Sequence, residues 1–275
     1  MNAAGIETVG VIGLGKMGGQ LARHLAAAGF ETLGYDVRAE AMVQAEADGA
    51  AATGSPAELA TKSDLVIVGV GFDSEVEAAL FGENGAMGSP RPGSTMAVAS
   101  TVAPATMLKI AERIGGDVAV LDIPMARGEQ AAIDGNLLIF GGGDRAAFDR
   151  CRPAFSTFSD AIHHLGPVGA GQVGKLVNNL ILWACISANE EGFRLAEELG
   201  VEAGALREAL LQSSAQNWAL ATEAVERPMP WAEKDMTIVL KEADAARVSL
   251  PLCGTVKEVI KGVKIARGQA MPEER

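Results

Sequence analysis

A short apolar strand that runs into a helix through closely spaced glycines leaves few folds open to a chain. Here the apolar run Thr8–Ile12 is followed by Gly13-Leu14-Gly15-Lys16-Met17-Gly18 and then by a helical pattern from Met17 to Ala28. Gly13 permits the tight turn, Gly15 lets the backbone approach a pyrophosphate, and Gly18 lets the helix pack on the strand with its N-terminus facing the phosphates. Such a hexapeptide is weak by itself, so its surroundings carry the weight. Asp36 ends the next apolar run, 18 residues beyond Gly18, close to the spacing of about 20 at which an acid meets the ribose hydroxyls of a dinucleotide. The candidate cofactor-binding residues are therefore Gly13, Leu14, Gly15, Lys16, Met17 and Gly18 with Asp36, Val37 and Arg38. Asp36 repels a 2′-phosphate and so favours NAD, while Arg38 leaves NADP open because its guanidinium can turn toward such a phosphate.

The same alternation continues. Short β-like runs at Glu31–Tyr35, Leu65–Val70, Thr95–Ala99, Val118–Leu121, Leu137–Phe140 and Ala161–Leu165 are separated by helical patterns. Breakers such as Ser55-Pro56, Pro92-Gly93 and Gly141-Gly142-Gly143 fall where strand and helix are expected to hand over. The expected class is α/β, with a Rossmann-type doubly wound parallel sheet over residues 1–165. An all-helical C-terminal domain is expected over 166–275, serving substrate binding and oligomerisation. Its first helix spans about Gln172 to Leu199 and is closed by Gly200. Leu176, Val177, Leu180, Ile181, Ala184, Ile186 and Ala188 make that helix apolar on more than one face, which predicts burial between domains or subunits and a homo-oligomer, dimer or tetramer. A turn is expected around Arg227–Pro230 and a last helix ending near Gly268, whose Lys257, Lys261 and Lys264 read as a solvated face.

Composition narrows the partners. A formal charge of −12 and a pI near 4.8 argue against nucleic acid and anionic membranes, which need a positive field. Cys151, Cys185 and Cys253 are odd in number and far apart, as in a reducing compartment. Nothing near Met1 resembles a signal peptide and no apolar run is long enough to span a bilayer, so a cytoplasmic setting is expected. No metal is expected: His24, His163, His164 and the cysteines lack ligand spacing, and strand alternation sends His163 and His164 to opposite faces.

Lys175 and Asn179 stand at i and i+4, one turn apart on one face of the predicted helix. A lysine near a helix N-terminus is disfavoured by the macrodipole, and the flanking sequence is apolar. Both effects lower its pKa toward the range of a general acid/base. The plainer alternative is a lysine that snorkels to water.

Four segments in order give the whole chain a resemblance to the β-hydroxyacid dehydrogenase family, of the 3-hydroxyisobutyrate dehydrogenase and semialdehyde reductase type. They are Gly13 to Gly18, Ser100-Thr-Val-Ala-Pro104, Asp122-Ile-Pro-Met-Ala-Arg-Gly128 with Gly135-Asn-Leu, and Gly169-Ala-Gly171 through Lys175 to Asn178-Asn179; a late Lys234-Asp235 also fits. The resemblance implies an NAD(P)-dependent enzyme that passes hydride between nicotinamide and a small hydroxyacid or aldehyde, with Lys175 as its acid/base. It further implies that Asn179 orients the substrate, that Ser100 and the backbone at Gly128 hold its carboxylate, that Val70, Gly71 and Thr101 line the cofactor, and that Lys234 lies near the nicotinamide. Strand-end hydrogen bonding for Ser100 and Thr101, and a helix-surface charge for Lys234, are the structural alternatives.

The chain departs from the family pattern at Ala126, where serine is usual, and at Arg127, where glycine is usual. Arg127 could grip a substrate carboxylate bidentately, or point outward and pair with Glu129. Gly71, Asp73 and Glu75 likewise replace proline and neutral residues. Two other functions compete: an imine reductase, which by resemblance carries aspartate or tyrosine at the Lys175 position, and a cofactor-binding relative that has lost turnover.

Overall fold

The structure, a computed structural model, describes residues 5–222 and 229–270. The chain forms two compact units, one running to Lys175 and the other starting at Leu176.

In the first unit the strands are β1 (Thr8–Ile12), β2 (Glu31–Tyr35), β3 (Ala51–Ala52), β4 (Leu65–Val68), β5 (Thr95–Val98), β6 (Ala119–Asp122), β7 (Met125–Ala126), β8 (Leu137–Gly143) and β9 (Ser159–Gly166). Between them lie α1 (Gly18–Ala27), α2 (Ala39–Ala47), α3 (Pro56–Lys62), α4 (Asp73–Phe81), α5 (Pro104–Ile114), α6 (Gly128–Asp134) and α7 (Arg145–Phe155). Strand order is β3-β2-β1-β4-β5-β6-β8-β7, with β9 beside β8. The strands from β3 to β6 are all parallel, as expected. At the far edge the expectation of a purely parallel sheet is corrected: β8 runs antiparallel to β6 and β7, and only β9 is parallel to it. Helices cover both faces of the sheet, so β4 and β5 are buried throughout and read as unbroken apolar runs. Val11, Leu21, Ile67 and Phe148 fill one side, and Val66, Val68, Met96 and Met107 the other.

The glycines 141–143 fall at the expected handover from strand to helix, as the last residues of β8 before α7 opens at Arg145. A Cβ on Gly141 would lie 2.2 Å from the Phe148 ring, and one on Gly142 2.4 Å from an Asp122 carboxylate oxygen. Close packing requires these two, and Gly143 in addition takes φ +121.

The second unit is helical throughout its described residues: most of α8 (Ala170–Glu198), then α9 (Ala203–Leu211), α10 (Trp218–Ala221), α11 (Ala232–Ala246) and α12 (Pro251–Ala266). The expected domain boundary at 165/166 precedes α8, whereas the compact units part inside it after Lys175. The first turn of α8 is bonded into the sheet's loops and so belongs with them. Gly200, with φ +78, closes α8 as expected, and the Val201 N–H donates back to the Ala196 carbonyl at 2.8 Å. Leu176, Trp183 and Ile186 of α8 pack with Met236, Val239, Val256 and Ile260, while Val177 and Ile181 remain 51% and 58% exposed. Lys264 corrects the reading of a solvated lysine face: it follows Val256 and Ile260 at four-residue spacing and is 1% exposed. Its ammonium lies 3.1 Å from a Glu233 carboxylate oxygen and donates to the Pro230 carbonyl at 3.3 Å. The turn expected at Arg227–Pro230 begins outside the described residues. Among the described residues no helix is long and apolar enough to cross a membrane.

Candidate active site

The glycine loop after β1 is built for close approach. Gly13 has φ +89 and donates its N–H to the Tyr35 carbonyl at 2.8 Å, and a Cβ there would lie 2.5 Å from the Gly69 carbonyl oxygen. A Cβ on Gly18 would meet the Gly13 carbonyl oxygen at 1.8 Å. Gly15 is different: the nearest atom to a Cβ there is Arg38 Nη2 at 3.6 Å, so its outer face is clear. Leu14 is buried and Met17 packs against the core, while the Lys16 side chain is exposed and its ammonium reaches a Glu129 carboxylate oxygen at 3.0 Å. At the opening of α1 the Gly19 N–H donates to the Gly15 carbonyl at 2.9 Å and the Leu21 N–H to the Met17 carbonyl at 3.1 Å, and the glycine loop with this helix N-terminus forms a cradle that fits a pyrophosphate.

Asp36 follows β2. Its carboxylate accepts from the Leu14 N–H at 2.7 Å, from the Arg38 N–H at 2.9 Å, and from Arg38 Nε and Nη2 at 3.0 and 2.9 Å. Burial raises the Asp36 pKa, but the guanidinium and the two backbone N–H groups outweigh it and hold the carboxyl below its usual range. Arg38, the group that left NADP open, is thus paired with Asp36 while keeping an edge beside Gly15. Val37 points outward, 79% exposed.

At the end of β4 the Val70 N–H donates to Ser100 Oγ at 2.8 Å, and Ser100 Oγ donates to the Val68 carbonyl at 3.4 Å. Ser100 is buried, so the strand-end role considered for it is real, and it joins the Val70 and Thr101 loops. The departures at Asp73 and Glu75 serve the same region. Glu75 accepts from the N–H groups of Gly71 and Phe72 at 2.7 and 3.1 Å, and Asp73 accepts from Thr106 Oγ1 at 2.7 Å and the Ala103 N–H at 3.3 Å. The tips of β4 and β5 are bound together by their own carboxylates.

The loop after β7 carries two consecutive left-handed residues, Arg127 at φ +85 and Gly128 at φ +83. Gly128 stands in open space. For arginine that backbone state costs about 1–3 kcal/mol. The Arg127 guanidinium bonds the Asp160 carboxylate and donates to the Asn136 carbonyl at 2.7 Å. Its expected partner Glu129 is taken instead by Lys16.

Asp122, at the end of β6, is fully buried and accepts from the N–H groups of Gly169 and Gln172 at 2.8 Å each. Burial outweighs these bonds and raises its carboxyl above the usual range. Gln172 is also fully buried; its amide donates to the Ser100 carbonyl at 2.8 Å and accepts from the Val102 N–H at 3.2 Å. The next turn of α8 carries Lys175, half-buried, and the one after it Asn179, which is buried. Asn179 Nδ2 donates to Asp235 at 2.8 Å and its Oδ1 accepts from Asn178 at 3.0 Å. Lys234, on α11, holds its ammonium 5.4 Å from the centre of the Trp231 ring.

The structure therefore gathers the expected residues from Gly13 to Gly18, Asp36 to Arg38, Val70, Gly71, Ser100, Thr101, Arg127, Gly128 and Lys175 in the first unit, most of them just past the C-terminal ends of its strands. Ligands bind at that end of open α/β sheets. Asn179 and Lys234 belong to the helical unit. Sequence reasoning missed three buried polar groups, Asp122, Gln172 and Asp235. All three nonetheless lie in segments that carry the resemblance: Asp122 opens one, Gln172 falls within another, and Asp235 stands beside Lys234 in the late one. His164 bonds the Gly143 carbonyl at 2.9 Å and packs edge-on to Phe148, while His163 is exposed on the opposite face. Among the described residues no group of His, Cys, Asp and Glu could hold a metal. What remains is a helix-borne amine with an oriented amide one turn away, and a separate cradle for a dinucleotide: parts suited to moving a proton while hydride moves elsewhere.

Known proteins match both parts of the chain. Residues 8–166 match the family model described as the NAD binding domain of 6-phosphogluconate dehydrogenase, and 169–272 the one described as NAD-binding of NADP-dependent 3-hydroxyisobutyrate dehydrogenase. An NAD-dependent L-serine dehydrogenase of Pseudomonas aeruginosa is 35% identical over 217 residues, covering 78% of this chain and 72% of that protein. A 3-hydroxyisobutyrate dehydrogenase of the same organism is 30% identical over 261 residues, covering 89% and 88%. The solved structure of a Mycobacterium tuberculosis 3-hydroxyisobutyrate dehydrogenase with L-serine superposes with a TM-score of 0.86 at 25% identity, covering 97% of this chain and 96% of that one.

Proposed function

The chain belongs to the β-hydroxyacid dehydrogenase family and is an NAD(P)-dependent dehydrogenase acting on CH–OH groups, and on that premise we propose that it interconverts a small 3-hydroxyacid and its semialdehyde with Lys175 as general acid/base. The observation that carries this reading is Lys175 and Asn179 on successive turns of α8, with the first turn of that helix bonded to the Ser100–Val102 loop. L-serine and 3-hydroxyisobutyrate, named for two relatives, both bear their hydroxyl on the carbon β to a carboxylate, which favours that substrate class.

When bound, the nicotinamide supplies or accepts the hydride. In the oxidative direction Lys175, as the neutral amine, takes the proton of the substrate hydroxyl; in reduction its ammonium returns that proton to the carbonyl oxygen. Asn179, its amide oriented by Asp235, holds the oxygen that gains or loses the proton. The substrate carboxylate is received by the Gly128 backbone, which stands in open space, and by Ser100, whose O–H meets Val68 only at 3.4 Å and can turn to a better acceptor. The exposed Val177 and Ile181 on α8 support a homo-oligomer, dimer or tetramer, which light scattering reads directly. Three free cysteines suit the cytosol.

The test is NADH and NADPH oxidation with glyoxylate and with succinic, tartronate and methylmalonate semialdehydes, against neutral and aromatic aldehydes. Turnover of an acidic semialdehyde is expected, and Lys175→Ala should lower kcat by about 10²–10⁴ while nucleotide still binds. Near-normal turnover and an unchanged pH profile in Lys175→Ala would remove the mechanism. Silence of the unsubstituted enzyme on the whole panel, with imines reduced instead, would replace the substrate class.

A further inference from the structure

We propose that Gln172 is a positioning residue for Lys175, an amide bracket that sets the proton-transferring turn of α8 against the loop carrying Ser100 and Thr101; this rests on the reading of Lys175 given above. Gln172 is 0% exposed, yet both ends of its amide are used, and both on the same three-residue loop. Nε2 donates to the Ser100 carbonyl at 2.8 Å, and Oε1 accepts from the Val102 N–H at 3.2 Å. The loop's own backbone at 100 and 102 is thereby bonded to a helix some 70 residues away in sequence. An apolar side chain of equal volume would fill the same space without fixing that distance.

Gln172 is held from below as well. Its N–H and that of Gly169 bond the buried Asp122 carboxylate at 2.8 Å. A Cβ on Gly171 would lie 2.4 Å from the Phe140 carbonyl oxygen and 2.8 Å from Asp122 Oδ2, so the turn is seated on β6 and β8 with no slack. One helical turn then separates Gln172 from Lys175. The backbone of that turn is fixed against the Ser100 loop through bonds to buried groups, and proton transfer is steeply sensitive to such placement: a misplacement of about 1 Å can cost about 100-fold.

The test compares Gln172→Met, Gln172→Glu and Ser63→Ala in the full chain on the semialdehyde panel. Ser63→Ala is the control for a lost buried hydrogen bond, since Ser63 Oγ donates to the Leu59 carbonyl at 2.8 Å before β4, at the other end of the sheet. Gln172→Met should lower kcat by 10- to 100-fold with the NADH dissociation constant, read by fluorescence, within about twofold of the parent. Val102 amide exchange should quicken by tenfold or more while that of Ile123, bonded to the Val98 carbonyl, stays as it was. Gln172→Glu keeps the acceptor for Val102 and has a donor for Ser100 only when protonated, so its kcat should rise toward that of the parent as pH falls, which Gln172→Met should not do; it serves if Gln172→Met does not fold. A kcat in both Gln172 variants equal to that of Ser63→Ala, in an enzyme whose unsubstituted form is active, would overturn the bracket alone. An inert unsubstituted enzyme would instead overturn the functional reading, and the two failures cannot be confused.

Discussion

Asp36 and Asp122 both lie where parallel strands of one sheet end, yet their surroundings are opposite. Asp36 shares its carboxylate between backbone N–H groups and a guanidinium that is itself 35% exposed, and it is held below the usual carboxylate range. Asp122 takes backbone N–H groups, meets no cation among the described residues, and is pushed above that range by burial. The difference separates an acid that can exchange partners from one that cannot. On the reading that Asp36 meets ribose hydroxyls, it needs one partner able to leave, and Arg38, 35% exposed, can be that partner. A carboxylate that seats a helix needs partners that never leave, and amides at the start of α8 meet that need.

Breaking the second region should cost most. Asp122→Ala strands two buried N–H groups at about 1–3 kcal/mol each, so urea unfolding should show a loss of about 3 kcal/mol or more; a loss under about 1 kcal/mol would erase the contrast. Asp36→Ala should cost less than Asp122→Ala, because Arg38, 35% exposed, can turn to water and only the Leu14 and Arg38 N–H groups lose their acceptor. Its effect should appear in cofactor choice instead, lowering the preference for NADH over NADPH roughly tenfold, about 1.4 kcal/mol. An unchanged ratio of kcat/KM for the two nucleotides would return Asp36 to a purely structural role.

Acid sharpens the contrast by sign. The native pKa of Asp36 is below its unfolded value of about 3.9, so its contribution is fully present above that pH and is lost as pH falls through the native value. Asp122 has a raised native pKa, so its contribution is largest in acid and declines as pH rises from about 3.9 through that raised value. Relative to Asp36→Asn and Asp122→Asn, the parent's advantage in Tm between about pH 3 and 7 should change in opposite directions; parallel curves would contradict both assignments. The smallest effect is expected at Arg127. Its guanidinium is engaged by Asp160 and Asn136, so Arg127→Ala should alter turnover of acidic and neutral aldehydes equally, within about twofold. A selective loss on acidic substrates would show that Arg127 leaves Asp160 to grip a carboxylate.

Much of the first unit was legible because its signals are local. Thr8–Ile12 and Glu31–Tyr35 are strands with the bounds that apolar pattern predicts, and the glycine loop and Asp36 meet through a direct bond from the Leu14 N–H. β3 and β7 were not, since two residues are too few to show alternation. The three glycines of β8 were legible as the end of a strand, but the packing that requires Gly141 and Gly142, against the Phe148 ring and the Asp122 carboxylate, was not. Lys264 read as a surface charge because helix charges usually are, while its partner Glu233 stands on another helix. At the candidate site Lys175 and Asn179 were visible as a spacing on one helix. Gln172 and Asp122 were not, because their value comes from backbone groups about 50 to 70 residues distant that no periodicity registers.

The glycines that flank Asp122 also limit how this enzyme can change. Gly142 and Gly171 each leave less than 3 Å between a Cβ and that carboxylate, and at Gly171 the Phe140 carbonyl oxygen is closer still at 2.4 Å, so a change at 122 could open position 142 but not 171, and random drift meets a wall at both codons. A few residues away Gly128 borders empty space and Arg127 already departs from glycine at a left-handed position. New substrate preferences in a laboratory selection should accordingly accumulate in residues 126–130, with the seat of α8 passing unaltered from one variant to the next.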